Sequence, residues 1–167
     1  MGTNDWDAKI DVGHVMPIRL IYEPDGVGVV VKGSGIVDAT EIQRCNDQLY
    51  AIDRIHKLRS QLYDFREVTK FDLSSDDMRM LAEQDKAAAS QNPNLAIAIV
   101  GNNDLMFGLA KMWEVFVSEA SLKANVFRTL KEARDWLEEH AERKPPKQAP
   151  QAETAAGEPT SEKRASD

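Results

Sequence analysis

The segment Leu95-Ala96-Ile97-Ala98-Ile99-Val100 does most to limit what this chain can become. Six apolar residues run without a polar break between Pro93 and Gly101, too short for a membrane span and too continuous for a strand with one wet face. Such a run reads as a strand covered on both faces. It predicts an interior, parallel strand with helices packed on the sheet.

The segments around it fit that frame. Ile18-Arg19-Leu20-Ile21-Tyr22-Glu23 and Val27-Gly28-Val29-Val30-Val31-Lys32-Gly33 are β-rich and flank the turn signal Pro24-Asp25-Gly26, which predicts an antiparallel hairpin at one edge. Gly33-Ser34-Gly35 then breaks the run. Ile42, Cys45, Leu49, Ile52 and His56 recur at three and four residues, predicting one helical face up to about Lys57, with Thr40 or Asp38 as its N-cap. Gln61 to Phe65 reads as a short strand, and Ser75 to Gln91 as a helix with Met78, Leu81, Asp85 and Ala88 along one side. After the buried strand, Gly101-Asn102-Asn103-Asp104 leads into a helix carrying Leu105, Leu109, Met112, Trp113, Phe116, Val117 and Ala120 at helical period. Lys123 to Arg128 is the last strand, and Thr129 with Glu132 forms a capping box for a final helix ending near His140. The expectation is an α/β fold: a five-stranded, mostly parallel sheet with an N-terminal antiparallel hairpin and four helices.

Residues 1–15 show no sustained period and read as an arm, residues 16–142 as the domain. From 143 onward, prolines mixed with Ala, Gln, Glu, Ser and Thr leave no large apolar side chain, a composition that cannot offset chain entropy, so a disordered tail is expected. The formal net charge of −7 argues against nucleic acid or an anionic membrane surface as partner, since both need a basic face. Cys45 is the only cysteine, which rules out an internal disulfide and fits a reducing cytoplasm. No apolar stretch is long enough to span a bilayer. His14, His56 and His140 fall at no ligand spacing, so neither a metal nor another cofactor is expected. The edge strand at Ile18 to Glu23 could pair two copies into a homodimer.

Two corners could carry function. At the first, Asp72-Leu73-Ser74-Ser75-Asp76 opens a helix. Ser74 or Ser75 can cap it and Asp76 suits the positive end of the helix dipole; the same serines could accept a phosphate, though Asp72, Asp76 and Asp77 would repel one. At the second, Asn102 and Asn103 precede a helix with Met106, Phe107 and Trp113. Ligands in open α/β sheets sit beyond the carboxyl ends of strands. Asn103 or Asp104 can cap this helix, and its Met and aromatic residues are either core or the lining of an apolar pocket. Residues 101–108 lack the Gly-Lys-Ser/Thr ending of a nucleotide loop, and no Gly-x-Ser-x-Gly elbow occurs, so an enzyme is not expected.

The hairpin-first order, the Asp72-Leu73-Ser74-Ser75 corner, the buried strand and the closing Val126-Phe127-Arg128-Thr129-Leu130-Lys131-Glu132-Ala133-Arg134-Asp135-Trp136-Leu137 resemble the STAS superfamily, and more narrowly its bacterial SpoIIAA-like branch, whose fold is likened to the CRAL-TRIO lipid carriers. The resemblance covers about residues 16–140. It implies a non-enzymatic cytosolic regulatory domain of anti-sigma-factor-antagonist type, meeting a protein partner through the corner, where Asp72, Ser74, Ser75 and Asp76 are the interaction candidates. In that family the corner is an Asp-Ser-Ser-Gly type with a phosphorylated serine; here Leu73 follows Asp72 and Asp76 takes the glycine position. The alternative is a carrier or sensor of a small apolar ligand such as a lipid, with Asn102, Asn103, Met106, Phe107 and Trp113 as pocket candidates.

Overall fold

A computed structural model describes residues 16–120 and 122–141. The arm expected over 1–15 and the tail over 143–167 lie outside the described residues. In chain order the elements are β1 (Ile18–Tyr22), β2 (Gly28–Asp38), α1 (Ala39–Leu49), α2 (Ile52–Ile55), β3 (Ser60–Asp72), α3 (Ser75–Gln91), β4 (Ala96–Val100), α4 (Asp104–Val117), β5 (Lys123–Phe127) and α5 (Leu130–His140). The five strands form one sheet in sequential order. β1 runs antiparallel to β2, and the other pairs are parallel, which is the expected mixed sheet with its hairpin at an edge.

All five residues of β4 are buried, and their alternation explains how. Ile97 and Ile99 enter the larger core under α1, α3 and α4, whereas Ala96, Ala98 and Val100 face Ala133 and Leu137 of α5 on the other side. Methyl groups on both surfaces allow α5 to pack closely, while the branched side chains fill the thicker three-helix layer. Thr129 accepts a hydrogen bond from Glu132 N at 3.3 Å, and Glu132 accepts from Thr129 N at 3.2 Å, completing the expected capping box.

Three local readings change. The first helix ends at Leu49, and a separate single turn, α2, follows, so five helices stand where four were expected. Ile52 is 78% exposed and His56 is also outside the core, while Ile55 is fully buried. The break falls at Tyr50, whose hydroxyl is tied into the core, so the apolar period does not continue through it. Asp38, not Thr40, is the N-cap of α1.

β2 runs straight through Gly33-Ser34-Gly35, and β3 is 13 residues long instead of five. Two register shifts, between Lys32 and Ser34 and between Gly35 and Ile36, each place one extra residue on β3. These are β-bulges, and the glycines make them feasible. Gly35 has φ +65°, and a Cβ on Gly33 would lie 2.6 Å from Phe65 Cδ1. β3 pairs with β4 only over Ser60 to Asp64, so its second half joins β2 alone in a two-stranded ribbon beyond the carboxyl end of β4. The exposed Arg66, Glu67, Thr69 and Lys70 gave that half the look of a loop.

On α4, Leu105 is 71% exposed, contrary to its expected place on the inner stripe. The buried line is Met106, Ala110, Trp113 and Val117. Asn103 fixes the helix start by accepting a hydrogen bond from Met106 N at 2.8 Å.

Candidate functional site

The corner expected at residues 72–76 is a helix N-terminus of tight construction. Ser74 Oγ accepts a hydrogen bond from Asp77 N at 3.2 Å and donates to Asp77 Oδ2 at 2.6 Å, and Ser74 N donates to the same carboxylate at 2.8 Å. These bonds hold the Asp77 carboxyl below the usual range. The hydroxyl of Ser74 is therefore committed. Ser75 is exposed, and its hydroxyl has no hydrogen-bond partner among the described residues. Asp72 and Asp76 are also exposed, with Asp72 3.3 Å from Lys70 Nζ.

Directly behind the corner lies a cavity of about 50 Å³ between α3, α4, α1 and the sheet. Leu73 belongs to both: it sits between Asp72 and the capping Ser74, and its side chain forms part of the cavity wall beside Phe71. Met106 and Trp113, two of the five pocket candidates, line this space. Asn102, Asn103 and Phe107 do not. Asn102 is exposed and donates to Arg66 O at 3.0 Å, tying the second corner to the ribbon, and Phe107 lies 4.0 Å beneath the Arg128 guanidinium.

The polar end of the cavity holds residues to which no role is assigned from the sequence. Asp85 of α3 is 5% exposed and accepts hydrogen bonds from three directions. The Tyr50 hydroxyl and Asn46 Nδ2, the latter at 3.4 Å, donate to Oδ1, and Trp113 Nε1 donates to Oδ2 at 2.7 Å. Tyr63 donates to Asn46 Oδ1 at 2.9 Å, and Gln61 Oε1 lies 3.3 Å from the Tyr50 hydroxyl and 3.2 Å from that of Tyr63. No cation stands against Asp85 among these partners. Burial pushes its pKa up to about 6, against the lowering effect of the bonds from Tyr50 and Trp113.

Two effects oppose each other at Asp85: burial favours the neutral acid, whereas the bonds donated by Tyr50 and Trp113 favour the carboxylate. Gln61 Nε2 is buried with no hydrogen-bond partner among the described residues. Cys45 sits nearby on α1, its thiol pushed up to about 12 by burial and then by Asp85. It is a small buried side chain, as its place on the apolar stripe implied.

The signal for Asp85 was present in the sequence as a carboxylate in register with Met78, Leu81 and Ala88. What could not be read was its company, because Tyr50, Gln61, Tyr63 and Trp113 come from three other segments. Among the described residues no group of His, Cys, Asp or Glu could hold a metal ion, and no helix is long and apolar enough to cross a membrane.

No protein-family model and no curated protein matches the sequence. Among solved structures, the anti-sigma factor antagonist SpoIIAA in its unphosphorylated form aligns with 72% of this chain and 97% of its own at 12% identity and a TM-score of 0.48. The phosphorylated form of the Bacillus cell fate determinant SpoIIAA aligns with 72% and 98% at 12% identity and a TM-score of 0.49. In arrangement, the chain is similar to SpoIIAA. An uncharacterized protein from Shewanella loihica with a SpoIIAA-like fold gives 72% and 91% at 18% identity and a TM-score of 0.45. At these identities and scores the alignments transfer no residue role to this chain.

Proposed function

We propose that the chain is a non-enzymatic regulatory domain that meets a protein partner through the end of the β2–β3 ribbon and the adjoining start of α3. The observation that carries this reading is the ribbon itself. Its strands outrun β4 and present Ile36, 61% exposed, opposite Lys70 and two residues from the paired Asp38 and Asp72. An apolar side chain ringed by charge is the composition of a contact centre with a polar rim. Because Ser74 is occupied by its cap and Asp72, Asp76 and Asp77 surround Ser75, the surface carries a standing negative charge without modification. A photo-crosslinking residue in place of Ile36, expressed in cells of the source organism, tests this. One dominant protein adduct, weakened by reversing Asp72 and Asp76 to lysine, is the expected result; an adduct pattern indifferent to those charges overturns it.

A second reading is favoured by the cavity: the domain senses a small, largely apolar molecule. Phe71 and Leu73 form part of the cavity wall and lead directly into the corner, so occupancy would be felt at the proposed contact surface. The volume of about 50 Å³ is a third of a cavity that admits benzene, which directs this reading to compact molecules and away from a lipid held whole.

A further inference from the structure

The cavity is apolar along nearly its whole wall, with Ile42, Phe65, Leu81, Ile99 and Met106 among its lining residues. Its polar end is unlike the rest. Asp85 lines the space directly, with Asn46 and Tyr63 beside it. A carboxylate offers about four acceptor positions on its two oxygens. Tyr50 and Asn46 use two on Oδ1, and Trp113 uses one on Oδ2. One acceptor position on Oδ2 is left, in a buried group that borders a cavity. Among the described residues, no side chain takes it. Both Asp85 oxygens already accept a bond, so the spare position offers a place for a donor without demanding one, and the remaining walls reject anything strongly polar. A space of about 50 Å³, at 10–15 Å³ for each water-sized body, takes roughly four non-hydrogen atoms.

We propose that this cavity binds a compact amphiphile with a single hydroxyl-type donor on a hydrocarbon body, the hydroxyl donating to Asp85 Oδ2 and the body lying against Ile99, Met106 and Leu81. The proposal rests on the ligand-sensing reading above and adds to it the chemical class. An acceptor-headed molecule of the same size meets the Asp85 oxygen lone pair to lone pair and is rejected. Nothing on the wall other than Asn46 and Tyr63 could hydrate a second polar group, so a diol or a zwitterion is excluded by the same desolvation cost.

The test uses the full chain labelled with ¹⁵N, titrated with 1-propanol and with propionitrile, two four-atom molecules that differ in having a donor or an acceptor at the head. The indole N–H of Trp113 is the reporter, since it is bonded to Asp85. That of Trp136, carried by α5 on the opposite face of the sheet, is the internal control. Saturable shifts at Trp113 with 1-propanol, at roughly tenfold lower concentration than with propionitrile, are expected, with Trp136 unmoved. Asp85→Asn should cut that preference to threefold or less. Ala110→Val, which fills the cavity from α4, should abolish binding of both probes, and it serves where Asp85→Asn does not fold. If both probes bind equally, the cavity is a ligand site but the donor assignment is overturned. If neither gives a saturable shift at Trp113, the ligand-sensing reading fails with it.

Discussion

Replacing Asp85 by Asn removes an ionisable group while keeping its shape, and the consequence should depend on pH in a defined way. The folded protein raises the Asp85 pKa from 3.8 to about 6, a change of about two units at 1.36 kcal/mol each, or about 3 kcal/mol in all. Because the folded state holds this proton more tightly than the unfolded chain, the stabilisation is complete below about pH 4. It is lost as pH rises towards 6. Above that, folding must bury a carboxylate that no cation faces. The groups packed against it do not titrate in this window: burial lifts Tyr50 and Tyr63 well above their ordinary values and Cys45 to about 12. Asp64 and Asp77, whose carboxyls are held low by Arg66 and Ser74, are common to both proteins and cancel in a difference. Urea unfolding of the two proteins, followed by far-ultraviolet circular dichroism from pH 4 to 8, gives that difference directly. The stability of the parent relative to Asp85→Asn should fall by about 2–3 kcal/mol between pH 4 and 7. A flat difference, or one that rises with pH, would show that the donated bonds outweigh burial and would refute the raised Asp85 pKa.

Other substitutions probe the framework. Ser74→Ala removes the cap of α3 and should cost about 1 kcal/mol in thermal or urea unfolding, whereas Ser75→Ala should change stability by less than about 0.5 kcal/mol; equal effects would mean that the cap is misassigned. Gly33→Ala should cost about 1–3 kcal/mol, because its Cβ would press on Phe65 Cδ1 at 2.6 Å and Val68 Cγ2 at 2.9 Å and force the bulged ribbon to shift. A neutral outcome in calorimetry would contradict that contact. Cys45, with its thiol pushed up to about 12, should resist a disulfide reagent at pH 8 in the native protein and react as one thiol per chain in denaturant. Prompt native labelling would show that the α1 packing opens readily.

The sequence alone was enough for the frame of the molecule because the frame follows from local pattern. A six-residue apolar run can be satisfied only by cover on both faces, a Pro-Asp-Gly turn between β-rich segments makes a hairpin, and Thr129 with Glu132 or Asn103 before Met106 starts a helix through bonds spanning three residues. Tertiary structure decided whatever depends on residues far apart in the chain. The charged second half of β3 is a strand because β2 lies beside it, and β2 continues through its glycines because the two bulges need Gly35 at positive φ and Gly33 against Phe65. The inner face of α4 turned from Leu105 to Met106 for the same reason, since the sheet and α3 choose which stripe is buried. Asp85 is the clearest case. Its position on the apolar side of α3 is visible in the sequence, but a carboxylate there gains its meaning from Tyr50, Asn46 and Trp113. Only the closing of α1 and α4 over the sheet brings those three donors to its oxygens at one end of the cavity.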